Sequence, residues 1–335
     1  SMDPLTQATI GAVLPQSIAR KSNAVIAGIF GFLSGMAPDL DVLIRSTKDP
    51  LLFLEYHRQF THSLIFIPIG GLMCAIFLHW LIGKRRHLSF KESVLFCTLG
   101  YATHGVLDAC TSYGTMLFWP FSDERVSWNT ISIIDPFFTL PILSLLILAG
   151  VKKKSYYSQI ALVWAFVYMY LGMTQRDTAV EMAKDIAQKR GHEIVGIEAK
   201  PSFANILVWK TIYETPKRFY VDAVRTGPSP RIFLGTSLPK LNLTRDFPWL
   251  DTAGQQAIDI GRFTWFSDGY VAKHPIFSNR VIDIRYSMIP NEITALWSIK
   301  VSPTASKNEH VEFLTDRDKV PDRFKRLLKM LLDND

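Results

Sequence analysis

The sequence predicts a multi-pass α-helical membrane domain of about six helices over residues 2–174, followed by a soluble α+β domain with an antiparallel sheet over residues 175–335. Three observations support this division. Six apolar stretches all lie before residue 175. The first 174 residues contain 13 Lys and Arg with 10 Asp and Glu, whereas the remainder contains 24 and 20. The net charge of +7 is therefore shared almost evenly, and without a strongly basic domain we expect no nucleic-acid partner.

The apolar stretches differ in length. Four are close to the ~20 residues that cross a bilayer core, namely residues 63–83, 93–110, 131–150 and 156–174. Two shorter stretches, residues 5–18 and 24–37, precede them and are predicted to be short helices, with a buried hairpin or a re-entrant pair as the alternative. The prolines inside these stretches are compatible with membrane helices, because neighbouring helices satisfy the freed carbonyl groups.

Basic residues mark one side of the predicted membrane domain. Nine of its 13 Lys and Arg lie in alternate loops, at residues 20–21, 84–91 and 152–154. Nine of its ten acidic residues lie on the other side, where the chain leaves the last apolar stretch. Because loops rich in Lys and Arg stay in the cytoplasm, we expect an integral inner-membrane protein whose residues 175–335 lie outside the cytoplasm.

The second half of the chain has the pattern of a soluble domain. Residues 175–190 are predicted to form an amphipathic helix and residues 323–332 a closing helix. Between them lie six β-prone runs, at residues 205–214, 218–225, 231–234, 261–271, 281–286 and 295–301. Their period-two alternation and the turn residues between them favour an antiparallel sheet.

Carboxylates and imidazoles cluster near the ends of the apolar stretches, on the acidic side. They are Asp39 and Asp41 after the second stretch, His57 and His62 before the third, His104 and Asp108 in the fourth, and Asp135 near the start of the fifth. Ionisable groups are costly at membrane depth, and a divalent ion would satisfy several of them at once. Imidazole with carboxylate suits zinc, manganese or iron better than magnesium or calcium. We expect the first six residues to bind one or two divalent ions, with zinc as the expected metal and manganese or iron as alternatives.

Other residues that commonly bind metals are expected to have no such role. His79 and His87 lie towards a basic loop, and the remaining histidines are scattered through the second half of the chain, at His192, His274 and His310. The three cysteines form no CxxC pair, which excludes a disulfide framework and a thiolate zinc site.

Several segments match a known family in combination. They are residues 2–7, 38–41, 57–64, 104–108, 113–115, 117–122 and 134–136, with residues 201–209 in the second half. Together they resemble the integral-membrane metal-dependent hydrolase family, inner-membrane proteins once linked to LexA regulation. The resemblance implies a membrane-bound hydrolase, with a motif likeness to zinc-dependent phospholipase C. Some members have a histidine where this chain has Gln7.

The ligand types favour metal-dependent hydrolysis. A metal-bound water would attack a phosphoryl or acyl centre, with Asp41 or Asp135 as the base that takes its proton. The planar guanidinium of Arg58 fits a phosphate group, and pairing with Glu55 or another acid is the alternative. A site at the membrane surface favours membrane lipids as partners, with a phosphate ester of a lipid or of a lipid-linked carrier as the substrate.

Two other classes of function use the same residues. A non-catalytic, metal-stabilised scaffold would bind an ion without turnover. A metal or proton transporter would place its ionisable residues near mid-membrane, commonly with inverted repeats. Here the candidate ligands lie at one end of the apolar stretches and no repeat is visible, which favours the enzyme.

Overall fold

The structure, a computed structural model, describes residues 2–316 and 320–332. It divides into two compact units. The helical unit contains the residues up to Ile44, Tyr56–Met173 and Phe203–Asn205. The sheet unit contains Arg45–Glu55, Thr174–Ser202 and the residues from Ile206 onward. The chain therefore leaves the helical unit at residue 45 and returns to it at residue 56.

The first part of the chain folds into helices, as the sequence predicts. They are α1 (Pro4–Ile18), α2 (Ala24–Met36), α3 (Leu52–Tyr56), α4 (Ile67–Leu78), α5 (Phe90–Ala109), α6 (Pro136–Lys152) and α7 (Tyr156–Lys189). Local signals set several of their starts. The Asp3 carboxylate accepts a hydrogen bond from the backbone N–H of Thr6 at the start of α1. Ser89 and Glu92 form a capping box at the start of α5.

Glycines allow α1, α2 and α5 to approach one another closely. A Cβ atom added at Gly31 of α2 would lie 2.3 Å from the carbonyl oxygen of Gly11 of α1. One added at Gly100 of α5 would lie 2.6 Å from the Cα atom of Gly31. Small residues at such crossings are typical of membrane helices, because they let the two backbones come together. These crossings hold α2 against α5, and both helices lead into the predicted ligands.

The expectation of about six membrane helices is wrong for the part of the chain that the structure describes. By length and composition, two of its segments could cross a bilayer, Ala24–Leu43 and Leu64–Arg86. The apolar helix α6 has only 17 residues and α1 only 15. Helix α5 contains Glu92, His104 and Asp108, and α7 continues into charged residues, so the polar groups interrupt the apolar character of both.

The sheet unit contains two four-stranded antiparallel sheets, each with its strands in chain order. The first consists of β1 (Gly196–Pro201), β2 (Val208–Glu214), β3 (Arg218–Arg225) and β4 (Arg231–Pro239). The second consists of β5 (Val271–Lys273), β6 (Arg280–Asp283), β7 (Trp297–Lys300) and β8 (Glu312–Thr315). The helices of this part are α8 (Leu243–Asp246), α9 (Gln255–Phe266) and α10 (Val320–Leu332). The predicted antiparallel pairing is confirmed, in two sheets where one was expected.

The β-run predicted at residues 261–271 is wrong except for its last residue, because α9 continues to Phe266 and β5 begins only at Val271. Ile260, Phe263 and Phe266 recur at helical spacing and are buried in the core of the sheet unit. Packing of this face overrides the strand preference of its aromatic residues. Leu51 and Leu54, from the segment Arg45–Glu55, belong to the same core.

Candidate metal centre

The six predicted ligands lie on three parts of the helical unit. They are a 3-10 turn directly after α2 (Asp39, Asp41), the loop before α4 (His57, His62) and the C-terminal half of α5 (His104, Asp108). The i, i+4 spacing places the last two side chains on one face of α5.

The loop that carries His62 packs directly on α5. A Cβ atom added at Gly105 would lie 2.1 Å from the carbonyl oxygen of His62. One turn earlier, the Tyr101 hydroxyl donates a hydrogen bond of 2.8 Å to the carbonyl oxygen of Thr61. These two contacts fix the His62 ring beside His104, with 4.6 Å between the ring centroids.

We expect Gly105→Ala to lower both metal affinity and the stability of the helical unit, although alanine is intrinsically the better helix former by about 1 kcal/mol. The new methyl group would overlap the His62 carbonyl, so the loop would have to move away from α5. Gly150→Ala in α6 is the matched control, since its Cβ atom would come no closer than 3.6 Å to another atom. Thermal unfolding and metal titration measure the difference. A Gly105→Ala protein with the unfolding temperature and the metal affinity of the wild type would contradict the close packing of the His62 loop on α5.

Four ligand atoms surround one point at distances that suit a tetrahedral ion. Nε2 of His62 and Nε2 of His104 are 3.0 Å apart. Asp39 Oδ1 lies 3.6 and 3.5 Å from these two nitrogens, and Asp108 Oδ2 lies 3.3 and 3.8 Å from them. A tetrahedral zinc site with bonds of about 2.0–2.1 Å separates its ligand atoms by about 3.4 Å. The four residues could therefore hold one ion with little movement.

The two carboxylate oxygens of this group are buried without a hydrogen bond. Asp39 Oδ1 and Asp108 Oδ2 accept none within the described part of the chain. Such an oxygen costs about 1–3 kcal/mol, and more when charged, unless a donor or a cation approaches it. The Arg58 guanidinium approaches Asp108 Oδ2, with Nε at 3.0 Å. By contrast, Asp108 Oδ1 accepts hydrogen bonds from the backbone nitrogen of Met2 at 3.1 Å and the side-chain amide of Gln7 at 2.9 Å. Asp108 thus presents one oxygen to an ion.

The two imidazoles are oriented with their lone pairs towards each other. His104 Nδ1 lies 2.6 Å from the carbonyl oxygen of Gly35, so it donates and leaves the lone pair on Nε2. His62 Nδ1 lies 3.3 Å from Asp41 Oδ2, an arrangement that favours the same tautomer. The two Nε2 atoms lie 3.0 Å apart, so either a shared proton or a metal ion must lie between them. The geometry of both rings therefore fits a bound metal ion.

Asp41 orients two histidine rings. Its Oδ2 contacts Nδ1 of His62, the ring nitrogen that faces away from His104. The same oxygen accepts a hydrogen bond of 3.0 Å from the Thr61 hydroxyl. Its Oδ1 lies 2.7 Å from His57 Nδ1. Asp39, Asp41 and His57 also form a second group whose ligand atoms lie within 4.8 Å of one another. This second group could hold a metal ion as well, and it shares Asp39 with the first.

Arg58 is buried, with 1% of its surface exposed, and its side chain is directed towards a ligand. Its backbone has a φ of 65°, in the left-handed region that few residues other than glycine adopt, and its N–H donates to Asp41 at 3.0 Å. Nη2 donates to Asp108 Oδ1 at 3.2 Å, and Nη1 donates to Thr111 at 3.3 Å. Nε lies 3.0 Å from Asp108 Oδ2 without the geometry of a hydrogen bond. The Tyr113 ring lies 5.3 Å from the guanidinium carbon.

Asp135 caps a helix. Its Oδ1 accepts hydrogen bonds from the backbone N–H groups of Phe137 and Phe138 at the start of α6. Its Oδ2 accepts one of 2.8 Å from the Tyr168 hydroxyl. It belongs to no group of three potential ligands found among the described residues. Histidines outside the centre also have partners: His79 contacts Ser93, His192 contacts Tyr213, and His310 contacts Asp259.

Two glycines that shape the centre were not predicted. Gly35 supplies the carbonyl oxygen that orients His104, and a backbone carbonyl carries no sequence signal. Gly105 lies between the two ligands of the motif at residues 104–108, where the missing side chain indicates close packing. That position could have been identified from the sequence.

Comparisons with known proteins agree with a membrane assignment. Residues 2–179 match the family described as YdjM inner membrane protein. The inner membrane protein YbcI of Escherichia coli (strain K12) is 34% identical to this chain over 110 residues, which are 31% of this chain and 60% of YbcI. The chain thus spans less than two thirds of the length of that relative. No solved structure matches the chain, so the likeness to zinc-dependent phospholipase C stays a prediction from motifs.

Proposed function

The chain belongs to the family of YdjM inner membrane proteins, and from this premise we propose that it is a membrane-bound, metal-dependent hydrolase that cleaves a phosphate ester of a lipid or lipid-linked substrate. One observation carries the proposal: the ligand atoms of Asp39, His62, His104 and Asp108 are spaced for one tetrahedral ion. We propose zinc, because imidazole and carboxylate at tetrahedral spacing suit it.

Charge balance favours a single ion. The centre contains three carboxylates, those of Asp39, Asp41 and Asp108, and one guanidinium, that of Arg58. A single divalent ion together with Arg58 balances the three negative charges, whereas a second ion would leave an excess of two positive charges. Unbalanced charge is costly in a site of this burial. We therefore propose one tightly bound ion for each chain.

His57 is the residue that we propose as the general base. When bound, the ion would take a water in addition to its four protein ligands and would lower the pKa of that water, so that it is a nucleophile at neutral pH. The His57 side chain is 21% exposed, whereas those of His62 and His104 are fully buried. Asp41 holds the hydrogen on His57 Nδ1, which leaves Nε2 free to accept a proton. Asp41 then acts through His57, and Arg58 holds Asp108 instead of a substrate phosphate.

A lipid substrate is supported by the surface beside the centre. The 3-10 turn that carries Asp39 and Asp41 also carries Leu40 and Leu43, which are 65% and 77% exposed. Exposed leucines next to partly exposed ligands suit a boundary between lipid and water. In our proposal the headgroup of a lipid reaches the ion while its acyl chains stay in the bilayer.

The test is a substrate panel with zinc-loaded, full-length protein. Phospholipids, polyprenyl phosphates, soluble phosphate esters and acyl esters are each incubated with the protein, and the released product is measured. We expect turnover of at least one lipid phosphate, and loss of that turnover when a chelator removes the ion. Protein that binds zinc tightly and cleaves only an acyl ester would contradict the phosphate-ester proposal. Protein that binds zinc and cleaves nothing in the panel would contradict the hydrolase proposal and favour a metal-stabilised scaffold.

We also propose that the protein is multi-pass and that residues 175–335 lie outside the cytoplasm. This proposal requires an odd number of membrane crossings after the basic loop at residues 84–91, in addition to the two segments that are long and apolar enough by themselves. The support is the nine-to-four split of basic residues in residues 2–174. A tag placed after residue 335 is expected to react with reagents that cannot cross the inner membrane. A tag placed in the basic loop at residues 84–91 is the control and should react only after the membrane is permeabilised. The opposite pattern would show that the topology is inverted.

A further inference from the structure

The segment Arg45–Glu55 joins the two halves of the ligand set. It begins four residues after Asp41 and ends two residues before His57. It belongs to the sheet unit, whereas the residues on either side of it belong to the helical unit. We propose that the sheet unit positions Asp41 and His57 by holding this segment, and that Arg262 is the positioning residue. This inference rests on the metal centre of the proposed function.

Arg262, on α9, binds the segment at two positions, Asp49 near its middle and Glu55 at its end. Its Nη1 and Nη2 donate to the two carboxylate oxygens of Asp49 at 3.0 and 2.8 Å. Its Nε donates to Glu55 at 2.5 Å, and Nη1 also donates to Asp259 at 3.0 Å on its own helix. One guanidinium thus connects two carboxylates of the segment to α9, in the paired geometry that arginine forms with carboxylates.

These ion pairs are partly shielded from solvent. The side chain of Arg262 is 17% exposed, and those of Asp49 and Glu55 are 24% and 35% exposed. Burial raises the pKa of the Asp49 carboxyl, but the hydrogen bonds from Arg262 outweigh this effect and hold the pKa below its usual range. The segment is therefore attached by charges that interact more strongly than a fully exposed pair.

Apolar contacts hold the middle of the segment. Leu51 and Leu54 are 1% and 6% exposed and lie in the core of the sheet unit. Their neighbours in that core include Phe247, Ile260 and Phe263. Since α9 supplies both Arg262 and part of this core, the same helix binds the segment by charge and by packing.

The connections from the held segment to the centre are short. Residues 42–44 join it to Asp41, and Tyr56 alone separates Glu55 from His57. Asp41 Oδ1 and His57 Nδ1 lie 2.7 Å apart, so both ends of the segment must return to one point. Release of the segment would let these ends separate, and Asp41 would no longer orient His57 and His62.

The experiment uses full-length protein in detergent and Co²⁺ as the probe. Arg262→Met removes the charge and keeps most of the side-chain volume, Arg262→Lys is the conservative variant, and Glu55→Gln is a milder change at one end of the segment. Arg190→Met is the matched control, because Arg190 also pairs with a carboxylate, that of Asp222, within the sheet unit. Co²⁺ affinity is measured by chelator competition, and the ligand-field absorption of the bound ion reports its coordination.

We expect Arg262→Met to weaken Co²⁺ binding by about tenfold or more, the scale on which outer contacts of metal ligands act, and to alter the absorption bands. Arg262→Lys should restore part of the Co²⁺ affinity and part of the wild-type absorption. Glu55→Gln should have an affinity between those of the wild type and Arg262→Met. Arg190→Met should change neither the affinity nor the absorption. Wild-type affinity and absorption in Arg262→Met would overturn the inference, as would an equal loss in Arg190→Met. Failure of the proposed function looks different: the wild-type protein would bind Co²⁺ or zinc and hydrolyse nothing.

Discussion

His104→Ala is expected to abolish tight binding of the divalent ion. His104 contributes one of four ligand atoms, is completely buried, and is oriented by the Gly35 carbonyl, so no nearby side chain can replace it. Loss of an outer contact to a ligand already costs about 10- to 100-fold in metal affinity, and loss of the ligand itself should cost more than about 100-fold. Metal content after dialysis, measured by elemental analysis, should fall from about one ion for each chain to a small fraction.

His79→Ala is the matched control for this variant. His79 also lies in the helical unit, but its Nδ1 contacts the Ser93 hydroxyl at 2.8 Å and it belongs to no ligand group found in the described residues. Its substitution should leave metal content at the wild-type level. If His104→Ala retained a full equivalent of ion, or if His79→Ala lost it equally, the assignment of ligands would be wrong.

Asp41→Asn is expected to lower kcat by about 10²–10⁴-fold, the usual contribution of general base catalysis, while the ion stays bound. The amide oxygen can take the place of Asp41 Oδ2, which accepts hydrogen bonds from Arg58 and Thr61. The amide NH₂ group would then face His57 Nδ1 and donate to it. His57 would be held in the opposite tautomer, with the hydrogen on Nε2, and could no longer accept a proton there.

The pair Asp41 and His57 should behave as a unit. His57→Gln is expected to lower kcat to a similar level, and the double variant should be little slower than either single variant. The measurement is kcat on the lipid phosphate found by the substrate panel, with metal content determined on the same samples. Fully multiplicative losses would show that the two residues act independently and would contradict the proposed base.

The grouping of the candidate ligands could be predicted because its pieces are local in sequence. His104 and Asp108 are four residues apart on a helix, and Asp39 and Asp41 end a predicted apolar stretch. Ionisable groups at membrane depth need a partner, and one metal ion can be the partner of several of them. This requirement predicts that ligand motifs far apart in the sequence lie close together in the fold. The structure brings the ligand atoms of Asp39, His62, His104 and Asp108 within 4.8 Å of one another.

The supporting contacts could not be predicted, because they join distant residues of ordinary type. Arg262 is 207 residues from Glu55, and nothing in either sequence neighbourhood indicates that they meet. Arg58 was expected to bind a phosphate or to pair with Glu55 or another acid, and its guanidinium contacts the carboxylate of Asp108. Tertiary packing determines which charged residues of this kind pair, and local sequence patterns carry no information about that packing.

The number of membrane helices was overestimated for a related reason. An apolar stretch shows that a segment is buried. A segment packed against other helices and a segment surrounded by lipid have similar amino-acid compositions, so the sequence does not distinguish them. Helix α5 is the clearest case, since it carries two ligands and packs through Gly100 and Gly105 on protein. The antiparallel pairing was predicted correctly because alternation and turn residues are local signals. The division into two sheets and the strands β1 and β8 were not predicted.

The most direct test of the metal centre is X-ray absorption at the zinc edge of the purified, zinc-loaded protein. The ligands Asp39, His62, His104 and Asp108 predict four nitrogen or oxygen atoms of the protein at about 2.0–2.1 Å, two of them from imidazole rings, with the water of the proposed reaction as a further oxygen ligand and no sulfur. In His104→Ala protein that still contains zinc, the outer-shell scattering should correspond to one imidazole ring, whereas in the wild type it corresponds to two. A spectrum with sulfur ligands from Cys74, Cys97 or Cys110, with six oxygen ligands, or without imidazole would contradict the centre described here.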